Sequence, residues 1–280
     1  MGSTLAEQTV KDHFFELWSH YKPDLRSVDL PSEVYLEQIM ALYRESGTLI
    51  DLGGGISVPN GVLAQLGMSV YVVDMLETYW EHRPQVQAKI AGEVKLLESC
   101  GVRFIVKDIS TYDLTADFAD NSVDVISSFH CMEHLHSSPR LVLQSAMRVL
   151  KPGGKLVIEV PNAANARKRL SLLFGRTNYT PYNQFFYTEP FWGHIREYTT
   201  GDLQCLAHNL GASRYQITGR NTIYGEWAMK IPSWVRQSSD MILRLFPGLC
   251  SCLVLEITKP LLAEHGSGGH AAMTASIRGD

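Results

Sequence analysis

A chain of 280 residues with 45% hydrophobic and 19% charged side chains can pack one large domain, and this composition excludes a disordered or fibrous protein. The formal net charge of −4 leaves no basic footprint, which excludes nucleic acid as the main partner. Cys100, Cys131, Cys205, Cys250 and Cys252 show no paired spacing, and Met1 to Ala6 carries neither a lipidation nor a secretory pattern, so a cytoplasmic location is expected.

In chain order, Leu5, Val10, Phe14, Leu17 and Trp18 at helical spacing predict a helix over 4–20. Pro31-Ser32 opens a second, over 31–46, carrying Val34, Leu36, Ile39, Met40 and Leu42. From there apolar strands alternate with amphipathic segments. Strands are expected at 48–52, 69–74, 102–107, 123–128, 155–160, 214–218 and 252–258, and helices at 59–66, 77–99, 138–150 and 200–210. Such alternation predicts an α/β, Rossmann-like fold: a seven-stranded, mostly parallel sheet with helices on both faces. The last two strands lack a standard crossover, so an antiparallel final strand is expected. The domain plan is an N-terminal helical cap at 1–46 and a main domain at 47–262. That domain would hold an inserted cap at 163–198 and a helical insertion at 225–248, and 263–280 would form a flexible tail.

The first strand ends in Asp51, and Leu52 leads into the glycine turn Gly53-Gly54-Gly55; Asp74 ends the second strand, nineteen residues past Gly55. Glycines let a backbone approach a ligand at the carboxyl end of a strand, and a carboxylate one strand over can accept both hydroxyls of a ribose. The pattern marks a nucleoside-bearing cofactor. A dinucleotide site would add a glycine where Ile56-Ser57-Val58 stand, and a phosphate loop would end in Gly-Lys-Ser/Thr. Both are absent, which leaves S-adenosylmethionine (SAM), a cofactor with no pyrophosphate.

Five segments in register then resemble the class I SAM-dependent methyltransferases over about 48–260. They are Asp51 to Gly55, Asp74, Val106-Lys107-Asp108-Ile109, Ser122 to His130, and Leu150-Lys-Pro-Gly-Gly154 to Ile158, the last similar to the hairpin before the fifth strand. Ser57 departs from the glycine frequent there. The resemblance implies that Asp51 takes the cofactor's ammonium directly or through water, with Gly53, Gly54 and Gly55 along the methionine moiety. Asp74 would accept the ribose hydroxyls and Asp108 the adenine amine. Ile109 and Met75 would pack on the ring, and Phe129 joins the cofactor-binding set.

His130-Cys131-Met132-Glu133-His134 matches the inverted zinc-protease pattern, and on a helix His130 and His134 would share one face. The segment falls where methyltransferases place their substrate-facing turn, however, and no third ligand stands out; no metal is expected. Two readings stay open. Glu133 and His134 could cap the next helix, or one of His130, Glu133 and His134 could enter the pocket as base or acceptor anchor.

Trp192-Gly-His194-Ile-Arg196-Glu-Tyr198-Thr is similar to a His-x-Arg-x-(Phe/Tyr)-(Ser/Thr) segment of a methyltransferase subfamily with many bacterial enzymes acting on sugars, lipids and secondary metabolites. His194 would be base or anchor, or with Arg196 would fix the loop. Seven aromatics fall within 179–192, either to stack on a sugar or close a lid, or to form this cap's own core. Tyr182, Phe186, Trp192, Arg196 and Tyr198 are the acceptor-binding candidates. Deprotonating an alcohol needs a base, and histidine serves near neutral pH. The expected activity is therefore O-methylation of a small-molecule acceptor: a sugar, glycolipid or related metabolite. N- or C-methylation of a small metabolite is the alternative, and a non-catalytic SAM-binding protein is a third. The adenine N-methyltransferase signature Asn-Pro-Pro-Tyr is missing. No transmembrane span is expected. Trp234 to Leu249 could still lie on a membrane surface, and self-association is left open.

Overall fold

The computed structural model describes residues 2–20, 32–76, 84–176, 179–189, 191, 193–221 and 240–261. Two helices, α1 (Gly2–His20) and α2 (Ser32–Leu42), precede the alternation β1 (Thr48–Leu52), α3 (Val58–Gln65), β2 (Ser69–Asp74), α4 (Pro84–Ser99), β3 (Arg103–Val106), β4 (Val123–Phe129), α5 (Arg140–Val149) and β5 (Leu150–Pro161). An insertion with α6 (Ala166–Leu173) and α7 (Tyr182–Tyr187) follows. The chain then forms α8 (Thr200–Asn209), β6 (Arg214–Arg220) and β7 (Cys252–Thr258). Residues 77–83, Trp192, the first part of the Trp234–Leu249 stretch and the expected tail at 263–280 lie outside the described residues.

The seven strands form one sheet in the order β3-β2-β1-β4-β5-β7-β6. β1 pairs in parallel with β2 and β4, and β5 with β4, while β7 runs antiparallel to both β5 and β6. The expected antiparallel final strand is thus present, wedged between the two strands before it. Side chains alternate across the sheet, which sorts the core into two layers. Leu49, Val70, Val72, Val125 and Val157 pack with α1, α2 and α3 through Phe14, Leu17, Ile39, Leu42, Val62 and Leu63. Ile50, Leu52, Ile126, Leu156 and Ile158 pack on the other face with Val142, Leu143 and Ala146 of α5 and with Leu203 and Ala207 of α8. A one-residue slip would expose whole rows of these side chains, each worth about 1.5–3 kcal/mol when buried. The register is fixed accordingly.

One element differs from expectation. Leu150 to Gly154 does not fold as a separate hairpin; it extends β5 to twelve residues, with a register shift against β4 between Val123 and Val125. Gly153 has φ +80°, and a Cβ at Gly154 would lie 2.8 Å from the Lys151 carbonyl oxygen. The glycines therefore allow an irregularity in the strand instead of a turn out of it. α8 begins with a full capping box. The Thr199 hydroxyl accepts from the Asp202 N–H, and the Asp202 carboxylate accepts from the Thr199 N–H.

Candidate active site

β1 delivers the chain into Gly53 at φ +67°, whose N–H donates to the Val73 carbonyl at 2.7 Å. A Cβ on Gly53 would stand 2.1 Å from Cys131 Sγ, and one on Gly54 would stand 2.0 Å from Asp51 Oδ2. The turn is clamped from above by the loop after β4 and from below by its own strand, and side chains do not fit at either place. Gly55 differs: a Cβ there meets nothing closer than Asp74 Oδ2 at 3.8 Å. The turn is therefore open on the side that faces Asp74.

Asp74 accepts the Gly55 N–H at 3.0 Å and the Leu76 N–H at 2.8 Å, which ties the glycine turn to the end of β2. Burial raises its pKa and these backbone donors oppose the rise. Asp51 lies beneath the turn, 3% exposed, and accepts from Asn60 Nδ2 and from Ser127 Oγ, each at 2.7 Å. Here too burial raises the pKa and the two side-chain donors counter it. Asp108 is exposed and accepts the Ser110 N–H at 2.8 Å. Ile109 is buried against Gly53, and Met75 and Phe129 are half-buried. The sequence reading passed over Asn60 and Ser127; a lone amide in an apolar helix and a serine pair ending an apolar strand were the available signals.

The loop after β4 is unusual in its backbone. His130 adopts φ +52°, a strained region for a side-chain-bearing residue, and its N–H donates to the Glu159 carbonyl at 2.9 Å. Met132 to His134 then form a single 3₁₀ turn rather than an α-helix. The inverted zinc-protease arrangement is therefore not formed. His130 Nε2 stands 3.5 Å from Glu159 Oε1, whereas the His134 ring lies edge-on to His194 with centroids 5.0 Å apart. Burial would lower the His130 pKa, but Glu133 and Glu159 outweigh it and push the imidazole up to about 9.

Glu133 sits between the two histidines of its own loop, 1% exposed, 3.7 Å from His130 Nδ1 and 3.9 Å from His134 Nε2. Its carbonyl accepts the N–H groups of Ile195 and Arg196, so the 193–198 segment is laced onto the β4 loop. His194 reaches Glu197 Oε1 through Nδ1 at 2.9 Å, and Glu197 is in turn ion-paired with Lys168 of α6. Burial pushes the Glu197 pKa up, but His194 and Lys168 bring it below the usual carboxylate range. The fold thus gathers Glu133, His134 and His194, while His130 turns toward β5.

The acceptor-binding candidates scatter. Arg196 pairs with Asp202 at 2.8 Å, and Tyr198 is buried with its hydroxyl toward the Met132 carbonyl, so both brace the loop. Tyr182 and Phe186 are 70% and 63% exposed, and no residue of α7 is buried. Among the described residues, the aromatics of α7 therefore form no buried core. Trp192 is outside the described residues. Missed altogether was Glu159, fully buried in β5 and paired with Arg220, with Gln38 of α2 at 3.4 Å. From Arg220 the ionic chain runs on through Glu37 of α2 to Arg244 and Asp240. A single acid inside Val157-Ile-Glu-Val160 was the one sign of it.

Residues 50–158 match the family model of a methyltransferase domain. The chain carries a class I SAM-dependent methyltransferase domain. S-adenosylmethionine is the cofactor of this domain. Over 141 residues the chain is 29% identical to a ubiquinone biosynthesis O-methyltransferase of Xanthomonas axonopodis pv. citri (strain 306), an alignment covering 50% of this chain and 54% of that relative. The chain so spans about half the length of the curated relative it matches. Among solved structures, a SAM-dependent methyltransferase from Archaeoglobus fulgidus has a TM-score of 0.51 at 15% identity, covering 81% of this chain and 93% of that one. The YcgJ protein of Bacillus subtilis has a TM-score of 0.50 at 16% identity, covering 82% and 99%. At these identities the likeness is one of fold. The family match ends at residue 158, so Glu159, the insertion and the 193–198 segment lie beyond it.

Proposed function

We propose that this methyltransferase acts on a hydroxyl of a small molecule in the sugar, glycolipid or related metabolite class. One observation carries the reading. Glu133 and His134 lie on the loop whose Cys131 stands against Gly53, and His194 meets them from the segment after the insertion, so groups able to activate a hydroxyl gather beside the loop that clamps the glycine turn. SAM supplies an electrophilic methyl on a sulfonium. As the acceptor oxygen forms its bond to that carbon, the carbon–sulfur bond breaks and the hydroxyl proton leaves to a base or to water.

In this reading the open side of Gly55 and the carboxylate of Asp74 hold the ribose, and Gly53 to Gly55 lie along the methionine chain. Asp51 reaches the ammonium from below through the turn it supports. Asp108, Ile109, Met75 and Phe129 surround the adenine. His130, protonated at neutral pH, is unsuited to act as the base. That role passes to His134 or His194, both more than one-third exposed. The exposed rings of Tyr182 and Phe186 suit stacking on an acceptor, and the name of the Xanthomonas relative favours oxygen over nitrogen. Among the described residues no helix is long and apolar enough to cross a membrane, and the acceptor is taken to be met in the cytoplasm.

The test is an acceptor screen: purified protein, cell extract and isotopically labelled SAM, with labelled products identified by mass spectrometry. A methyl ether supports the proposal. A labelled amine or carbon centre replaces it with N- or C-methylation, and binding of SAM with no labelled product from any extract favours a non-catalytic binding protein.

A further inference from the structure

The sequence alone led to an expectation of no metal, because no compact ligand cluster stands out along the chain. The fold assembles one from two distant loops. One carboxylate oxygen of Glu133 and one ring nitrogen each of His134 and His194 lie within 4.8 Å of one another. We propose that these three residues bind a divalent first-row transition-metal ion beside the cofactor turn.

Three features point the same way. Glu133 is almost wholly buried, yet neither of its carboxylate oxygens makes a hydrogen bond among the described residues. The imidazoles beside it, His130 at 3.7 Å and His134 at 3.9 Å, stand beyond hydrogen-bond reach, so its oxygens remain open to a cation. Both imidazoles are also oriented from behind. His134 Nδ1 lies 3.3 Å from the Gly193 carbonyl oxygen and His194 Nδ1 lies 2.9 Å from Glu197 Oε1, so each proton sits on Nδ1. Nε2 is then the ring atom that can ligate, and His134 Nε2 stands 3.9 Å from Glu133 Oε1. A carboxylate or carbonyl behind a histidine is the usual outer partner of a metal-bound imidazole, setting tautomer and ring direction. Finally, Glu197 is itself pinned by the largely buried Lys168, so a whole relay from α6 exists to hold one ring.

Two imidazoles and one carboxylate are the donor set of zinc, cobalt, manganese or iron rather than of magnesium or calcium, which prefer oxygen alone. Three protein ligands leave coordination positions open on the partly exposed side of the histidines. An acceptor hydroxyl bound there would have its pKa lowered and would release its proton to water, with His134 and His194 serving as ligands in place of the base role given to them above. This role, though not the metal site itself, rests on the hydroxyl-transfer reading above.

The experiment uses tag-free, full-length protein freed of metal with a chelator, then titrated with Co²⁺ followed by visible absorption and with Zn²⁺ followed by calorimetry. One ion per chain is expected, with Mg²⁺ giving no signal. His194→Ala and Glu133→Gln should weaken binding by roughly 100-fold or more, and Glu197→Gln by about 10–100-fold through loss of the outer partner. His208→Ala, on α8 and next to Tyr215, should bind as the parent does. Thermal unfolding shows whether each variant folds; His194 is exposed enough for its variant to fold even if Glu133→Gln does not. Absence of stoichiometric binding, or binding that survives His194→Ala, overturns the site. Metal binding with methylation confined to amines leaves the site standing and removes the hydroxyl reading. Hydroxyl methylation by protein that binds no metal does the reverse.

Discussion

The two halves of this site are built from different materials. On the cofactor side the working parts are main chain: Gly53 bonds to Val73, and Gly55 and Leu76 both bond to Asp74. On the side proposed to meet the acceptor the parts are side chains from separate elements: Glu133 and His134 after β4, His194 and Glu197 after the insertion and, joined to Glu133 through His130, Glu159 in β5 with Gln38 of α2 and Arg220 of β6. A backbone turn sets its geometry within a few residues and serves any acceptor chemistry equally. A side-chain cluster exists only once the whole sheet has formed, and in the proposed function it is where one acceptor would be told from another.

That division can be broken by experiment. His134→Ala or His194→Ala should lower turnover on the true acceptor by about 10²–10⁴-fold. SAM affinity by calorimetry should stay unchanged; if it fell in parallel, the halves would not be separable. Next in size is the buried pair of the acceptor side. Arg220→Met leaves Glu159 without its cation and should cost about 3–5 kcal/mol in denaturant unfolding. Burial pushes the Glu159 pKa up, but His130 and Arg220 bring it below the usual glutamate value. Its contribution to stability is therefore complete above the unfolded value of about 4.3 and is lost as pH falls through the lower folded one. In Arg220→Met the loss should begin at higher pH, and an acid-unfolding midpoint that did not rise would contradict this assignment.

On the cofactor side, Asp74→Ala should weaken SAM by about 1.5–3 kcal/mol through loss of charge-assisted bonds. The variant should keep normal acceptor binding in the presence of saturating SAM, measured as an unchanged acceptor KM. The smallest effect belongs to the brace between the halves. Thr199→Ala removes one arm of the capping box of α8 and should lower stability by about 1 kcal/mol, read from the shift in denaturant midpoint.

Legibility in the sequence follows the same division. Apolar runs and a local glycine turn announced β1, β2 and the residues around Asp51 and Asp74, because each of those contacts closes within one strand–helix–strand unit. The two N-terminal helices and the antiparallel last strand were legible for the same reason, as periodicity and a missing crossover. What stayed hidden depended on long-range pairing. Glu159 looks like one more residue of an apolar strand until Arg220, sixty-one residues later, reaches it. His130 and His134 look like a helical pair because spacing says nothing of the positive φ at His130 that separates them. Leu150 to Gly154 reads as a turn by residue type, yet Leu150 pairs with Val123 and Lys155 with Val125, so the residues between them form an irregularity within β5.

Cys131 gives the glycine turn a chemical clock. Its sulfur occupies the space where a side chain on Gly53 would be, and burial, followed by the charges of Asp74, Glu133 and Asp51, raises its pKa so that the thiol stays protonated. The half-buried thiol should react faster with a maleimide or disulfide reagent each time the β4 loop lifts from the turn. The alkylation rate of this native cysteine, read by peptide mass beside that of exposed Cys205, therefore reports how often the seam between the two halves parts.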